Sequence, residues 1–263
     1  MLYDYESFKT DVYGLTNINL SMYKERQMKR RIESLMTRKG YRDFQSYYHA
    51  MEKDEALLRS FVSYLTINVS EFYRNPKQWE FFEKQMIPYL IKNFGEKIHI
   101  WSAACSTGDE PYTIAMLLAR HMPLSQVHVY ATDIDEDVLA FAKQGLYSQR
   151  SLEHLPKDLL AAHFIPVSKG YQIKDDIKQC VEFRKHNLLE NRYPTGMHMI
   201  VCRNVVIYFT DEAKEYVYRN FYKSLCKDGV LFIGSTEQII HAKEIGFQAK
   251  DSFFYQKCSE ITG

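Results

Sequence analysis

The sequence predicts an α/β protein in which an all-helical domain precedes a parallel, doubly wound sheet. Apolar residues recur at helical spacing through residues 1 to about 80, with no strand-like alternation. From about residue 97 onward, short apolar runs alternate with helix-length segments, the pattern of a sheet built by crossovers. At the first of these runs, Ile98 to Ala104, the chain stops at small residues and enters a helix through Asp109-Glu110-Pro111. Pro is tolerated in a first helical turn because the N–H it lacks would be unpaired there.

In the helical region, Met28, Ile32 and Leu35 share one face, as do Leu57, Leu58, Phe61, Val62 and Leu65. Gly40 ends a helix, and Pro76 marks a turn or a first helical turn. Strands are expected at 97–104, 127–132, 181–186, 197–203 and 229–235, and helices at 111–121, 135–144 and 211–226. Two further strands near Phe247 and at Phe253–Lys257 suit an antiparallel edge hairpin. The segment at about 146–180 breaks the rhythm with Pro156, Pro166 and the turn Ser168-Lys169-Gly170. It reads as a short helix and a small hairpin inserted into the sheet domain, too small to fold alone. The domains are therefore 1–80, helices and linker, and 81–263, the sheet domain with its insert.

Composition is that of an ordinary globular protein, and a net charge of +1 excludes a chain built as a whole to bind polyanions. The 5 cysteines form no C-x-x-C pair, which argues against a zinc site or a disulfide framework and for a reducing compartment. Met1–Glu6 lacks a basic stretch followed by an apolar one, and no apolar run approaches the ~20 residues of a membrane span. The expected location is cytoplasmic, without membrane insertion. No metal-ligand spacing, Walker loop or G-x-S-x-G is present.

The turn Ala103-Ala104-Cys105-Ser106-Thr107-Gly108 lets a ligand approach the backbone closely, yet it lacks the G-x-G-x-x-G fingerprint. Asp109 and Glu110 at the helix entrance would repel a pyrophosphate. They suit a ligand bringing an ammonium or hydroxyls, such as S-adenosylmethionine (SAM). Asp133, at the tip of the second strand, has the position of a residue that holds both ribose hydroxyls. The alternative is that it caps the next helix, a role better suited to Asp135. Arg203, Asn204 and Tyr208 follow the strand ending at Cys202, where ligands gather in open α/β sheets. A Tyr there can orient an oxygen nucleophile, or it can be one of the structural members of a set of 20 tyrosines. Asn187 stands at a third strand tip and can donate to and accept from an adenine edge. In the segment Asn68–Asn75, the residues alone favour a capping Asn68 and a surface Arg74 over ligand contacts. Between Lys24 and Arg42, Lys24, Arg26, Lys29, Arg30, Arg31, Arg38, Lys39 and Arg42 face only Glu25 and Glu33. This is either a solvated face or a site for an acidic partner, nucleic acid or protein.

Read together, Thr66–Arg74, Ser102–Tyr112, Ala131–Asp135, Asn187–Leu189, Cys202–Phe209 and Gly229–Glu237 resemble, in order, the motifs of the bacterial chemotaxis receptor methyltransferase family (CheR). The resemblance implies a Rossmann-like SAM-dependent methyltransferase sheet domain with an N-terminal all-helical domain and a small inserted antiparallel β-subdomain. It implies transfer of methyl from SAM to chemoreceptor glutamates, giving glutamate methyl esters and S-adenosylhomocysteine in chemotactic adaptation. By position, Asn68, Ser70 and Arg74 contact the cofactor from the interdomain segment. Glu110 meets the methionine amino group, Asp133 the ribose, and Asn187 and Leu188 border the adenine. Arg203 and Asn204 line the cleft, and Tyr208 flanks the transferred methyl, so Tyr208 and Arg74 are the expected catalytic residues. The helix Lys24–Arg42 then faces the acidic helical region of a chemoreceptor. Nucleic acid is not an expected partner, since the amino-methylase tetrapeptide is absent. The expected oligomeric state is monomeric.

Overall fold

The computed structural model describes residues 3–258. The outermost residues of both expected domains, 1–2 and 259–263, lie outside the described residues. The N-terminal domain consists of α1 (Tyr5–Thr16), α2 (Glu25–Arg38), α3 (Phe44–Lys53) and α4 (Glu55–Leu65). Carboxylates start three of them: Asp4, Asp43 and Asp54 each accept hydrogen bonds from N–H groups of the following turn. The helices close on Phe8, Ile32, Tyr47 and Phe61, all fully buried. Phe8 meets the edge of Phe61 with centroids 6.1 Å apart. α2 buries Met28, Ile32, Leu35 and Met36, the expected face, which leaves its basic side turned outward.

Pro76 opens α5 (Pro76–Phe81), which runs through a π-helical turn, Phe82–Met86, into α6 (Ile87–Phe94). The irregular turn directly precedes Pro88, which has no N–H to return to a carbonyl one turn back. The sheet domain then follows in order: β1 (Ile100–Ala103), α7 (Asp109–Leu118), β2 (Val129–Asp133), α8 (Glu136–Gln144), β3 (Leu146–Tyr147), α9 (Lys157–His163), β4 (Phe164–Val167), β5 (Gly170–Ile173), α10 (Asp175–Lys178), β6 (Val181–Lys185), β7 (Met197–Cys202), α11 (Asp211–Ser224), β8 (Leu225–Ile233), α12 (Ala242–Ile245), β9 (Phe247–Asp251) and β10 (Phe254–Lys257).

The main sheet has the order β6-β2-β1-β7-β8-β10-β9. The first five strands pair in parallel, and β10 pairs antiparallel with β8 and β9, as the tail pattern predicts. β1 is the middle one of the five parallel strands, Ser102 opposite Ala131 on one side and Val201 on the other, so the turn after it opens at the centre of their carboxyl edge. Strand order reverses there, which is where a doubly wound sheet opens a ligand crevice.

The expected inserted hairpin is β4–β5, and it gains a third strand, β3. Two residues are too few to show alternation, which is why Leu146–Tyr147 carries no strand signal in the sequence. The small sheet is tied to the large domain by Tyr147, 1% exposed, which packs edge-on against Phe72 and donates its hydroxyl to the Thr107 carbonyl at 2.7 Å.

Candidate active site

The carboxyl tips of β1, β2, β6 and β7 surround one cleft, closed on the remaining side by Leu65–Arg74 and Tyr23 from the helical domain and its linker. Every residue expected at the site lines it: Asn68, Ser70, Arg74, Glu110, Asp133, Asn187, Leu188, Arg203, Asn204 and Tyr208. The backbone around it is strained. Ile67, Ala104, Ser106 and Asn204 line the cleft with positive φ angles between 49° and 61°, and Tyr73 and Asn75, on either side of Arg74, are also left-handed. Such conformations cost about 1–3 kcal/mol each and cluster where geometry serves a ligand. At Gly108, with φ of 89°, a Cβ would fall 2.8 Å from that of Ala142, so this turn requires glycine.

Glu110 lies in the first turn of α7 with its side chain 13% exposed. It accepts a hydrogen bond from Ser102 Oγ at 2.8 Å, and its other oxygen lies 3.8 Å from the Arg203 guanidinium. Burial pushes its pKa up to about 7, against the pull of Arg203 and Ser102. Asp133, 5% exposed, accepts from Ser106 N at 2.8 Å and from Asp135 N at 3.0 Å, and burial holds it near pKa 6. Asp135 caps α8 as expected, accepting from Asp137 N. Its second oxygen receives Thr66 Oγ1 at 3.2 Å and Asn68 Nδ2 at 2.7 Å, so Asn68 links the interdomain segment to the start of α8, while also reaching the Ser63 carbonyl in the last turn of α4 at 3.4 Å.

Arg203 is tied to the linker. Its guanidinium donates to the Arg74 carbonyl at 2.8 Å, Asn75 Oδ1 at 3.1 Å and Gln78 Oε1 at 2.6 Å, and lies over the Trp79 ring. Arg74 stays half-buried at the rim and reaches the Val69 carbonyl at 3.3 Å. Asn187 donates to the Asn17 carbonyl of the helical domain at 2.8 Å and accepts from Leu189 N at 3.0 Å, so its amide is already engaged. Leu188, 6% exposed, supplies apolar wall.

Sequence reasoning missed Tyr23, Trp79, Ser106 and His186, which also line the cleft. Ser106 falls inside a motif read for its small residues. His186 neighbours Asn187, and burial lowers its pKa to about 4, which keeps it neutral. Tyr23 and Trp79 arrive from helical segments whose docking no local pattern announces.

The donors and acceptors left over fit an adenosine carrying an amino acid. Ser106 Oγ, Asn204 Oδ1, His186 Nε2 and Arg203 Nε are buried without a hydrogen-bond partner, and all belong to cleft residues. The carboxylates Glu110 and Asp133 await cationic or hydroxyl partners between the apolar walls Leu65, Ile134, Leu188 and Phe209.

The same chemistry is found by comparison. Residues 3–66 match the CheR methyltransferase all-alpha domain, and residues 68–253 match the CheR methyltransferase SAM binding domain. The chain is 41% identical to the chemotaxis protein methyltransferase of Listeria innocua over 97% of each chain. It is 32% identical to that of Borreliella burgdorferi, covering 90% of this chain and 88% of the relative. It is 30% identical to that of Escherichia coli K12, covering 88% and 82%. A sheet-centred cleft with buried carboxylates, a helical domain completing its wall and similarity along nearly the whole length lead to one conclusion: the chain belongs to the CheR family of SAM-dependent chemotaxis methyltransferases.

Proposed function

We propose that the chain methylates glutamate side chains on the cytoplasmic helical region of chemoreceptors, and that the residues gathered in the cleft carry the reaction. When bound, SAM supplies an electrophilic sulfonium methyl, which a receptor glutamate carboxylate takes up as its ester, leaving S-adenosylhomocysteine. The attacking carboxylate is already ionised at neutral pH, so no strong general base is needed. Glu110 binds the ammonium of the cofactor's amino acid and Arg74 its carboxylate, with Asn68, Ser70, Arg203 and Asn204 shaping that end. Asp133 takes the ribose hydroxyls, and Asn187 and Leu188 border the adenine. Tyr208 orients the incoming carboxylate. Alignment and exclusion of water supply most of the rate, worth up to ~7–11 kcal/mol in favourable cases.

The observation that supports the substrate assignment is a second groove that shares Ile67 and Tyr208 with the cleft. Lys24, Arg30 and Arg31 of the α2 region line it with Tyr64. A basic groove that shares Tyr208 with the cofactor cleft suits an acidic helix that presents one carboxylate to Tyr208. Lys24–Arg42 is thus the receptor-facing segment. The enzyme acts as a cytoplasmic monomer, with the helical domain and linker extending to about residue 80. Among the described residues no helix is long and apolar enough to cross a membrane.

The test is transfer of radiolabelled methyl from SAM to chemoreceptor-containing membranes, followed by mild alkali. Label released as volatile methanol supports a carboxyl ester. Cofactor binding without transferable label would instead mark a binding module.

A further inference from the structure

The loop from Asn204 to Tyr208 carries two of the expected site residues, and its conformation is held by a residue outside the cleft. β8 ends at Ile233, the chain turns at Gly234, and Glu237 N donates back to the Gly234 carbonyl at 3.1 Å. This folds the Glu237 side chain, 7% exposed, beneath the loop. One carboxylate oxygen accepts from Gly234 N at 2.7 Å and Asn204 N at 2.8 Å. The other accepts from Val205 N at 2.9 Å and Val206 N at 3.0 Å. The consecutive N–H groups of 204–206 thus converge on a single carboxylate. A left-handed Asn204 (φ 61°) followed by a right-handed Val205 makes the concave backbone nest that binds anions, and here the anion is built in. Val206–Tyr208 is a single 3₁₀ turn, too short to satisfy its own leading N–H groups.

We propose that Glu237 is the positioning residue of the transfer site, fixing the Asn204–Tyr208 loop and through it the Tyr208 side chain. The inference rests on the reading of Tyr208 as the residue that orients the attacking carboxylate. No neutral side chain of this size replaces Glu237. A glutamine has one oxygen for the four N–H groups and turns its own amide hydrogens towards two of them. Aspartate is one methylene short. The space is also fixed, since a Cβ on Gly234 would lie 2.8 Å from both Asn204 N and the Glu237 carboxylate.

The experiment measures turnover on receptor membranes and SAM affinity by calorimetry for the full chain carrying Glu237→Gln, Tyr208→Phe, or both. Glu237→Gln is expected to lower kcat by up to about 10-fold while SAM affinity, anchored at Glu110 and Asp133, falls far less. In the Tyr208→Phe background the same change should cost little further, because the group it positions is already gone. Glu237→Asp should recover part of the loss, and it replaces Glu237→Gln in the cycle if the latter does not fold. Unchanged turnover in Glu237→Gln, or a loss that multiplies fully with that of Tyr208→Phe, overturns the assignment. A fully active Tyr208→Phe enzyme, read from that variant alone, removes the underlying reading of Tyr208 instead.

Discussion

Glu110 holds a carboxylate in a wall where Arg203, 3.8 Å away, is its cationic neighbour. Its pKa near 7 without ligand makes cofactor binding a proton-linked event. An ammonium partner requires the ionised form, so SAM affinity should rise with pH up to about 7 and level off above it. Calorimetry in buffers of different ionisation enthalpy should show proton release below that pH. The effect on folding runs the other way. A carboxyl whose folded pKa exceeds its ordinary 4.5 stabilises the fold fully below 4.5, and this stabilisation is lost as pH rises through about 7. The thermal midpoint gained on adding SAM should therefore be larger above pH 7 than at pH 5.5. Asp133→Ala should weaken SAM binding by roughly 1.5–3 kcal/mol, the worth of hydrogen bonds to a charged acceptor, and unchanged affinity would remove the ribose assignment. Tyr208→Phe should lower turnover about 10-fold with a smaller loss of cofactor affinity, read in the methyl-transfer assay. That Glu110 and Asp133 meet in one cleft was legible in the sequence, because the helix entrance after the first strand and the tip of the second open on the same edge of a doubly wound sheet. Tyr23 was not, and Glu237 ended a motif of the resemblance without a role, since each reaches the cleft or its loop only through packing between distant segments. Asn187 illustrates the limit: its partner, the Asn17 carbonyl, lies 170 residues earlier in the chain.

Among the elements, α2 divides its two jobs by face. Met28, Ile32, Leu35 and Met36 hold it in the helical core, and its Arg30 and Arg31 line the groove that Tyr208 also borders. Arg31 belongs partly to the fold, donating to the Tyr64 carbonyl at 2.6 Å and lying over the Tyr64 ring, whereas Arg30 is exposed. Arg30→Glu should thus raise the KM for receptor about 10-fold at low salt, less at high salt, and leave SAM affinity unchanged. Equal KM values at both ionic strengths would take the receptor off this face. The helices and long strands were readable because their apolar periods are sustained over several turns or across both faces of the sheet. β8 begins at Leu225, ahead of the expected 229, because neighbouring β7 pairs with it before the apolar run starts.

At the scale of the molecule, the helical domain completes the catalytic one. Thr66 and Asn68 bond to Asp135, and Asn187 bonds to Asn17. Asp135→Ala removes a helix cap worth ~1 kcal/mol together with both links to the interdomain segment, so it should lower the thermal midpoint and weaken SAM binding together. A variant with wild-type SAM affinity would show that the interdomain segment keeps its place without Asp135.

A further junction lies next to the site. Lys24 N donates to the Tyr208 carbonyl and Thr210 N to the Met22 carbonyl, both at 2.9 Å, so Tyr23 and Phe209 face each other as a one-rung antiparallel ladder. Their rings meet edge to face at 5.1 Å. The residue that opens the basic helix and Tyr208, which we propose orients the reacting carboxylate, are thereby joined main chain to main chain. This makes the enzyme a ruler with a fixed zero mark. On the proposed docking along α2, the distance from the helix's acidic contacts to the esterified glutamate is set by this rung. The two halves are consequently not interchangeable parts. A chimera that exchanges helical domains between relatives should keep its site selection only when residues 22–24 and 208–210 travel together.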